Sequence, residues 1–355
     1  MIDFRYNYPI LPSQHQLLMD ALSVLEPDES YMKMATPGGH ADDKNVAAFW
    51  LSKPDFPIDQ DSVVIACSGH QALSVIILAT GLACGKVLVD PVTYNGFLSL
   101  ASMFNIKLIP CPIDEDGLKP DAIAALCEEN DIKAVYLMPT IHNPLCYIMP
   151  LQRRKEIVEV ARQFDLVLID DDAYGFLAPE ALPGFAHLAP ERSFYIYSFS
   201  KILAPGIKTC YIIVPEKWET QTTNAVWMTS SGSVTLYNRL VSNWIKSGVV
   251  EKVIEEKRLV ATEKQKVAAS IFHKHSYLTQ ATSYHIWLPL PKSVNAYQVG
   301  ENLSVKGIDV VTSVAYNFSR DANYNGIRIA LGNVSDEKIL IQGLTIIEES
   351  LSDIY

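Results

Sequence analysis

The sequence contains no C-x-x-C pair and no histidine pair at metal-ligand spacing. Its six cysteines, Cys67, Cys84, Cys111, Cys127, Cys146 and Cys210, lie scattered among apolar runs. A zinc ribbon and a disulfide framework are therefore excluded, no metal is expected, and the thiols read as reduced and buried, as in a cytosolic protein. Basic excess is missing as well: 29 Lys and Arg stand against 40 Asp and Glu, a formal net charge of -11 at pH 7. Such a balance offers a phosphate backbone no basic stripe, so no nucleic-acid partner is expected. No run reaches the roughly 18 to 20 uninterrupted apolar residues of a membrane span. The opening residues, MIDFRYNYPILPSQ, carry Asp3 and early prolines instead of a basic run before an apolar core. That is not the pattern of a secretory leader, and the expected location is the cytoplasm. The G-x-G-x-x-G fingerprint and the P-loop are absent, which removes the sequence support for dinucleotide or ATP binding.

What is present is a chain of 355 residues, 49% of them hydrophobic, enough for a large core and more than one domain. Between about residues 62 and 215, the runs VVIACSG, KVLVD, KLIPCP, AVYLMPT, LVLID, SFYIYSF and TCYIIVP read as strands. Stretches of helical periodicity separate most of them, which predicts a mostly parallel sheet covered on both faces. Only SKILAPGIK joins the last two strands. It is too short for a helical crossover, so that pair should be antiparallel. The expected fold class is α/β: a large domain with a mixed, mostly parallel seven-stranded sheet between helices, plus a smaller α+β domain. Residues 1–40 are expected to contribute to the small domain and the rim of the site, residues 41–244 to form the large domain, and residues 245–355 to form a connector helix and the small domain.

In open α/β sheets, ligands collect beyond the carboxyl ends of the strands. The first such end leads through Ser68 and Gly69 into a helix opened by His70 and Gln71, a natural phosphate cradle. The second brings Tyr94 to a helix start, where a ring can cover a planar ligand. The fourth ends in Asn143-Pro144 and the fifth in three adjacent carboxylates, Asp170, Asp171 and Asp172, which call for a cation or a change of protonation. The sixth ends in Lys201, between Ser198, Ser200 and the Pro205-Gly206 turn. A lysine in a partly dry cleft has a depressed pKa and serves as a nucleophile or base.

Together, NP at Asn143, DDAY at Asp171–Tyr174 and SFSK…PGIK ending at Lys208 resemble the class I/II aminotransferases, fold-type I enzymes that use pyridoxal 5'-phosphate (PLP). The resemblance runs over nearly the whole chain. It implies that Lys201 forms a Schiff base with the cofactor and moves the substrate Cα proton. It further implies that Asp171 keeps the pyridine nitrogen protonated, that Tyr174 and Asn143 bond the phenolic oxygen, and that Tyr94 stacks on the ring. Gly69, His70 and Gln71, with Ser198 and Lys208, would form the phosphate cup. Arg328 would grip the substrate carboxylate, with Gly39, Tyr8 and His40 nearby; Trp227 and Tyr284 could line the side-chain pocket or simply pack. Tyr31 matches, loosely, a tyrosine that reaches a partner's phosphate. Three positions depart from the family pattern: Leu145-Cys146 replaces Thr-Gly, and Lys208 replaces arginine.

The implied activity is transfer of an amino group between an α-amino acid and a 2-oxo acid, in a homodimer with the active site at the interface. Alternatives on the same scaffold are C–S β-elimination, decarboxylation, and amino-acid oxidation or cyclisation. A non-catalytic PLP-binding sensor, as in the effector domains of transcription regulators, is a further alternative. It is disfavoured by the acidic charge and by a chain that starts almost at once on the small-domain segment.

Overall fold

In the computed structural model, which describes residues 1–352, the β-rich runs form one seven-stranded sheet. In chain order its strands are β1 Val63–Ala66, β2 Lys86–Val89, β3 Lys107–Pro110, β4 Ile132–Leu137, β5 Val167–Asp171, β6 Ser193–Ser198 and β7 Cys210–Ile213. They are arranged β1-β7-β6-β5-β4-β2-β3. Strands β2 to β6 run parallel to one another, and β7 is antiparallel to both β1 and β6. The mixed sheet expected from the short β6–β7 connection is the one observed.

Both faces of the inner strands are covered, so these are mostly apolar, and alternate residues enter different cores. Val87, Val89, Ala134, Tyr136 and Ile169 join one cluster. Leu88, Val135, Leu137 and Leu168 join the other. The helix Gly69–Thr80 starts on a Ser68 cap, whose hydroxyl accepts from Gln71 N, and stops at Gly81 in a left-handed conformation, φ +68°.

Beyond β7 three helices follow, Glu219–Ser230, Thr235–Lys246 and Val249–Ile271, the last two separated by Gly248 at φ +71°. A second, antiparallel sheet, β8 His285–Pro289, β9 Val311–Thr312 and β10 Gly326–Ala330, has the order β8-β10-β9. The amino terminus joins this part of the chain: Ile2–Asp3 pairs with Ile308–Asp309, and Phe4 is buried with Ile286, Ile327 and Ile329. Residues 4 to 8 are thereby carried past β10. The last three residues of the 245–355 segment lie outside the described residues. Among the described residues no helix is long and apolar enough to cross a membrane, and no group of His, Cys, Asp and Glu could hold a metal ion.

Candidate active site

A cavity of about 700 Å³ opens at the carboxyl ends of the large sheet, and β10 and the segment Arg5–Tyr8 form part of its wall. Lys201 projects into it from a one-turn helix, Phe199–Ile202, and not from the strand itself as the sequence reading placed it. The strand stops because the Ser198 side chain turns back to accept from Ser200 N, a cap that diverts the chain into a helical turn. The Lys201 Nζ lies 3.4 Å from the centroid of the Tyr8 ring. Burial, and then the Arg328 charge, pull its pKa down to about 7, with Asp171 acting in the opposite sense.

The three adjacent aspartates are separated by the pleat. Asp171 faces the cavity and accepts from Tyr136 Oη at 2.8 Å; Tyr136 is itself stacked on Phe97. Burial raises the Asp171 pKa to about 6, against the Tyr136 hydrogen bond and the Lys201 charge. Asp170 and Asp172 point to the other face, where they accept from Phe185 N and from Tyr195 Oη. Burial raises both, and the fully buried Arg154 opposes the rise. The cation demanded by this acidic run is thus supplied twice, once on each face.

Arg328 crosses from β10 to the large sheet. Its Nη1 donates to Asn143 Oδ1 at 3.0 Å, its Nη2 donates to the Arg5 carbonyl, and its buried Nε has no partner. Asn143 precedes a cis peptide bond to Pro144. Cys146, where the family pattern has glycine, adopts φ +63°, a left-handed conformation that costs an L-residue roughly 1–2 kcal/mol. The turn is held all the same, by Cys146 N on the His142 carbonyl at 2.7 Å and by Gln280 Nε2 on the Cys146 carbonyl at 3.0 Å.

At the opposite end Ser68, Gly69, His70, Ser198, Ser200 and Lys208 line the cavity. A Cβ built on Gly69 would meet only Ser198 Cβ, at 3.9 Å, so the start of the helix is open to an anion. The Tyr94 hydroxyl lies 3.0 Å from His70 Nε2. Its ring occupies space that only a glycine at position 96 leaves free, since a Cβ there would fall 2.4 Å from Tyr94 Cζ.

The structure brings together Lys201, Asp171, Gly69, His70, Tyr94, Asn143, Tyr174, Ser198, Lys208, Arg328 and Tyr8 around this one cavity. It does not bring the Gln71 side chain, which turns away to Thr229 and Ser230 and accepts from Cys67 N. Nor does it bring Gly39 and His40. Gly39, at φ +102°, lets the chain lie against Ile65, and His40 Nδ1 faces the Thr36 hydroxyl. Tyr31 lines a separate surface cavity with Asp28 and Arg239, and buried Tyr284 donates to the Lys257 carbonyl. Trp227 is not among the lining residues. Sequence reasoning missed Asn7, Tyr316 and Ser200. Asn7 and Tyr316 line the cavity; the Asn7 side chain bonds Tyr174, and the buried Tyr316 hydroxyl has no partner.

Residues 6–281 match the family described as Aminotransferase class I and II. The chain belongs to that family. This aminotransferase is 24% identical over 350 residues to an uncharacterized HTH-type transcriptional regulator, YdeF, of Bacillus subtilis (strain 168), a match covering 97% of the chain and 76% of that protein. It is 23% identical over 322 residues to aromatic-amino-acid aminotransferase 1 of Thermococcus litoralis, covering 86% of the chain and 76% of the relative. Among solved structures it superposes on LysN, the alpha-aminoadipate aminotransferase of Thermus thermophilus, with TM-score 0.89 at 20% identity, over 100% of this chain and 92% of the other. At that identity the likeness is one of fold.

The aminotransferase's cofactor is pyridoxal 5'-phosphate, and the residues present fit it. An open helix start flanked by serines and Lys208 suits the phosphate. A buried carboxylate suits a protonated ring nitrogen. A lysine with depressed pKa suits the aldehyde, and the unpartnered Arg328 Nε suits a substrate carboxylate.

Proposed function

We propose that this aminotransferase moves the amino group of an α-amino acid to a 2-oxo acid with Lys201, Asp171 and Arg328 as its working residues. One observation carries the assignment: a carboxylate at the end of β5 and an amine on the one-turn helix that follows β6 face one cavity, and burial has drawn their pKa values together, to about 6 and about 7. When bound, PLP supplies an aldehyde that condenses with amines and a ring that accepts the electron pair left at the substrate Cα.

The protein's residues do the rest. Lys201 Nζ, whose pKa burial draws down to about 7, would hold the cofactor and serve as the base for the Cα proton of the amino acid. The Asp171 carboxylate, its orientation fixed by the Tyr136 hydrogen bond, would hold a proton on the ring nitrogen. Arg328, at the cavity wall, would bind the substrate carboxylate through its guanidinium, which Asn143 keeps in place. The Tyr316 hydroxyl, buried and unpaired at the same wall, completes the carboxylate site. Tyr94, oriented by His70, and Tyr174 would enclose the ring.

The acting unit is taken to be a homodimer. Supporting this, the apolar side chains of Met32, Met34, Phe49 and Met228 are 92%, 73%, 79% and 80% exposed and so available to a second copy.

The test is turnover with pairs of amino acids and 2-oxo acids. Formation of a new amino acid that depends on the acceptor is expected. Release of ammonia and a 2-oxo acid without acceptor would indicate elimination instead. A second reading has an observation of its own in its favour: a longer transcription regulator aligns with 97% of this chain. A sensor would bind PLP and amino acids yet give no product in this assay.

A further inference from the structure

One buried cation has no part in the chemistry above. Lys257, in the middle of the long helix Val249–Ile271, is 0% exposed. Its Nζ donates to two main-chain carbonyls, that of Lys201 at 2.9 Å and that of Leu203 at 3.4 Å. Among the described residues no carboxylate is in ion-pair contact with it.

Those two carbonyls close the end of the one-turn helix Phe199–Ile202 that carries Lys201. So short a helix cannot hold itself, because nucleation of a first turn is unfavourable. Its start is fixed by the Ser198 side chain. Its end is fixed from outside, by Lys257 and by Gln14 Nε2 on the Leu203 carbonyl at 2.6 Å. The donor is itself anchored, since Tyr284 Oη donates to the Lys257 carbonyl at 2.7 Å.

We propose that Lys257 is a positioning residue for Lys201: from a separate element it fixes the end of the helix that carries Lys201 and places a positive charge behind the amine. Burial pulls the Lys257 ammonium down to about 7, while carbonyl acceptors at a helix end favour its charged form. Arg328 and Lys257 both push the Lys201 amine towards its neutral state, and Asp171 opposes them. Tyr8 packs its ring on the amine, and His70 and His285 titrate within its field. Lys257 thus acts on the same group as Arg328 without entering the cavity.

The inference rests on the assignment of Lys201 under the proposed function, and its test keeps the two separable. The cofactor-free chain is acetylated over a range of pH, and the modification of Lys201 is read by peptide mass spectrometry. Lys257→Met removes donor and charge, Lys257→Gln keeps a donor without charge, and Lys257→Arg keeps both. The pH midpoint of Lys201 labelling is expected to rise by about half a unit or more in the Met and Gln variants and to stay put in the Arg variant. In the PLP-loaded enzyme, Lys257→Met is expected to lower kcat about tenfold with KM within about twofold, the pattern of a misplaced reacting group. Should the Met variant fail to fold, the Gln variant carries the test. Unchanged midpoints in Met and Gln, or in Gln alone where Met does not fold, overturn the proposal. A wild-type chain that gains no near-visible absorbance with PLP overturns the Lys201 assignment instead.

Discussion

Lys201 and Asp171 are both held away from their ordinary protonation equilibria by burial, and each makes a prediction about stability. The Asp171 carboxyl titrates near 6 in the fold against 3.8 in the unfolded chain. The folded state therefore binds more protons between those values, and stability falls as pH rises through about 4 to 6, by up to about 3 kcal/mol from this group. In the cofactor-free chain Asp171→Asn should flatten that part of a Tm-against-pH curve, although Asp170 and Asp172 contribute in the same direction. Lys201 has the opposite sign: its pKa is about 7 folded and 10.5 unfolded, so the stability it withholds returns as pH rises from 7 to 10.5. Lys201→Met should accordingly raise Tm at pH 7 while removing activity, a trade expected where an active site stores strain. The residues legible in the sequence were those that sit at strand ends in chain order: Asp171, Asn143, Tyr94 and Lys201. Asn7 and Tyr316 were not legible. What places Asn7 is the Arg5 carbonyl meeting Arg328, a contact between residues more than 300 positions apart that no local pattern encodes.

Among the elements, two glycines separate the site from its scaffold. Gly96→Ala adds a Cβ 2.4 Å from Tyr94 Cζ within the helix Asn95–Met103. Alanine is the better helix former by roughly 1 kcal/mol, so Tm should barely change while the PLP Kd rises about tenfold as the Tyr94 ring is displaced. Gly39→Ala behaves in reverse. Its Cβ would lie 2.8 Å from Ile65 Cδ1 at φ +102°, so stability should drop by about 2–4 kcal/mol in denaturant titration, with PLP affinity in the folded fraction unchanged. The seven strands and the reversed β7 followed from periodicity and connection length; their order across the sheet came only with the structure. The helix Glu219–Ser230 did not, because ETQTTNAVWMTS has no apolar stripe and buries only Thr222, Ala225 and Val226. That omission explains the misreading of Gln71, whose side chain is satisfied by Thr229 and Ser230 from this same segment. Lys201 was read as a strand residue because a one-turn helix leaves no periodic signal; only the Ser198 cap marks it.

For the whole molecule, the exposed apolar residues Met32, Met34, Phe49 and Met228 predict a sedimentation mass of twice the chain, with Phe49→Asp shifting the equilibrium towards the monomer. The formal charge of -11 works against association of this kind, so added salt should tighten the dimer. The central claim is that one lysine and one carboxylate, brought together by the ends of a parallel sheet, make this fold an enzyme acting on amino acids. It is tested most directly by the absorbance of the PLP-loaded chain, recorded for the wild type and for Lys201→Ala while single amino acids are added and then a 2-oxo acid. The account predicts a near-visible band in the wild type that at least one α-amino acid discharges and a 2-oxo acid restores, and a Lys201→Ala protein that shows neither the band nor the cycle. A wild-type band that no amino acid discharges, or a Lys201→Ala protein that keeps the full cycle, would contradict it.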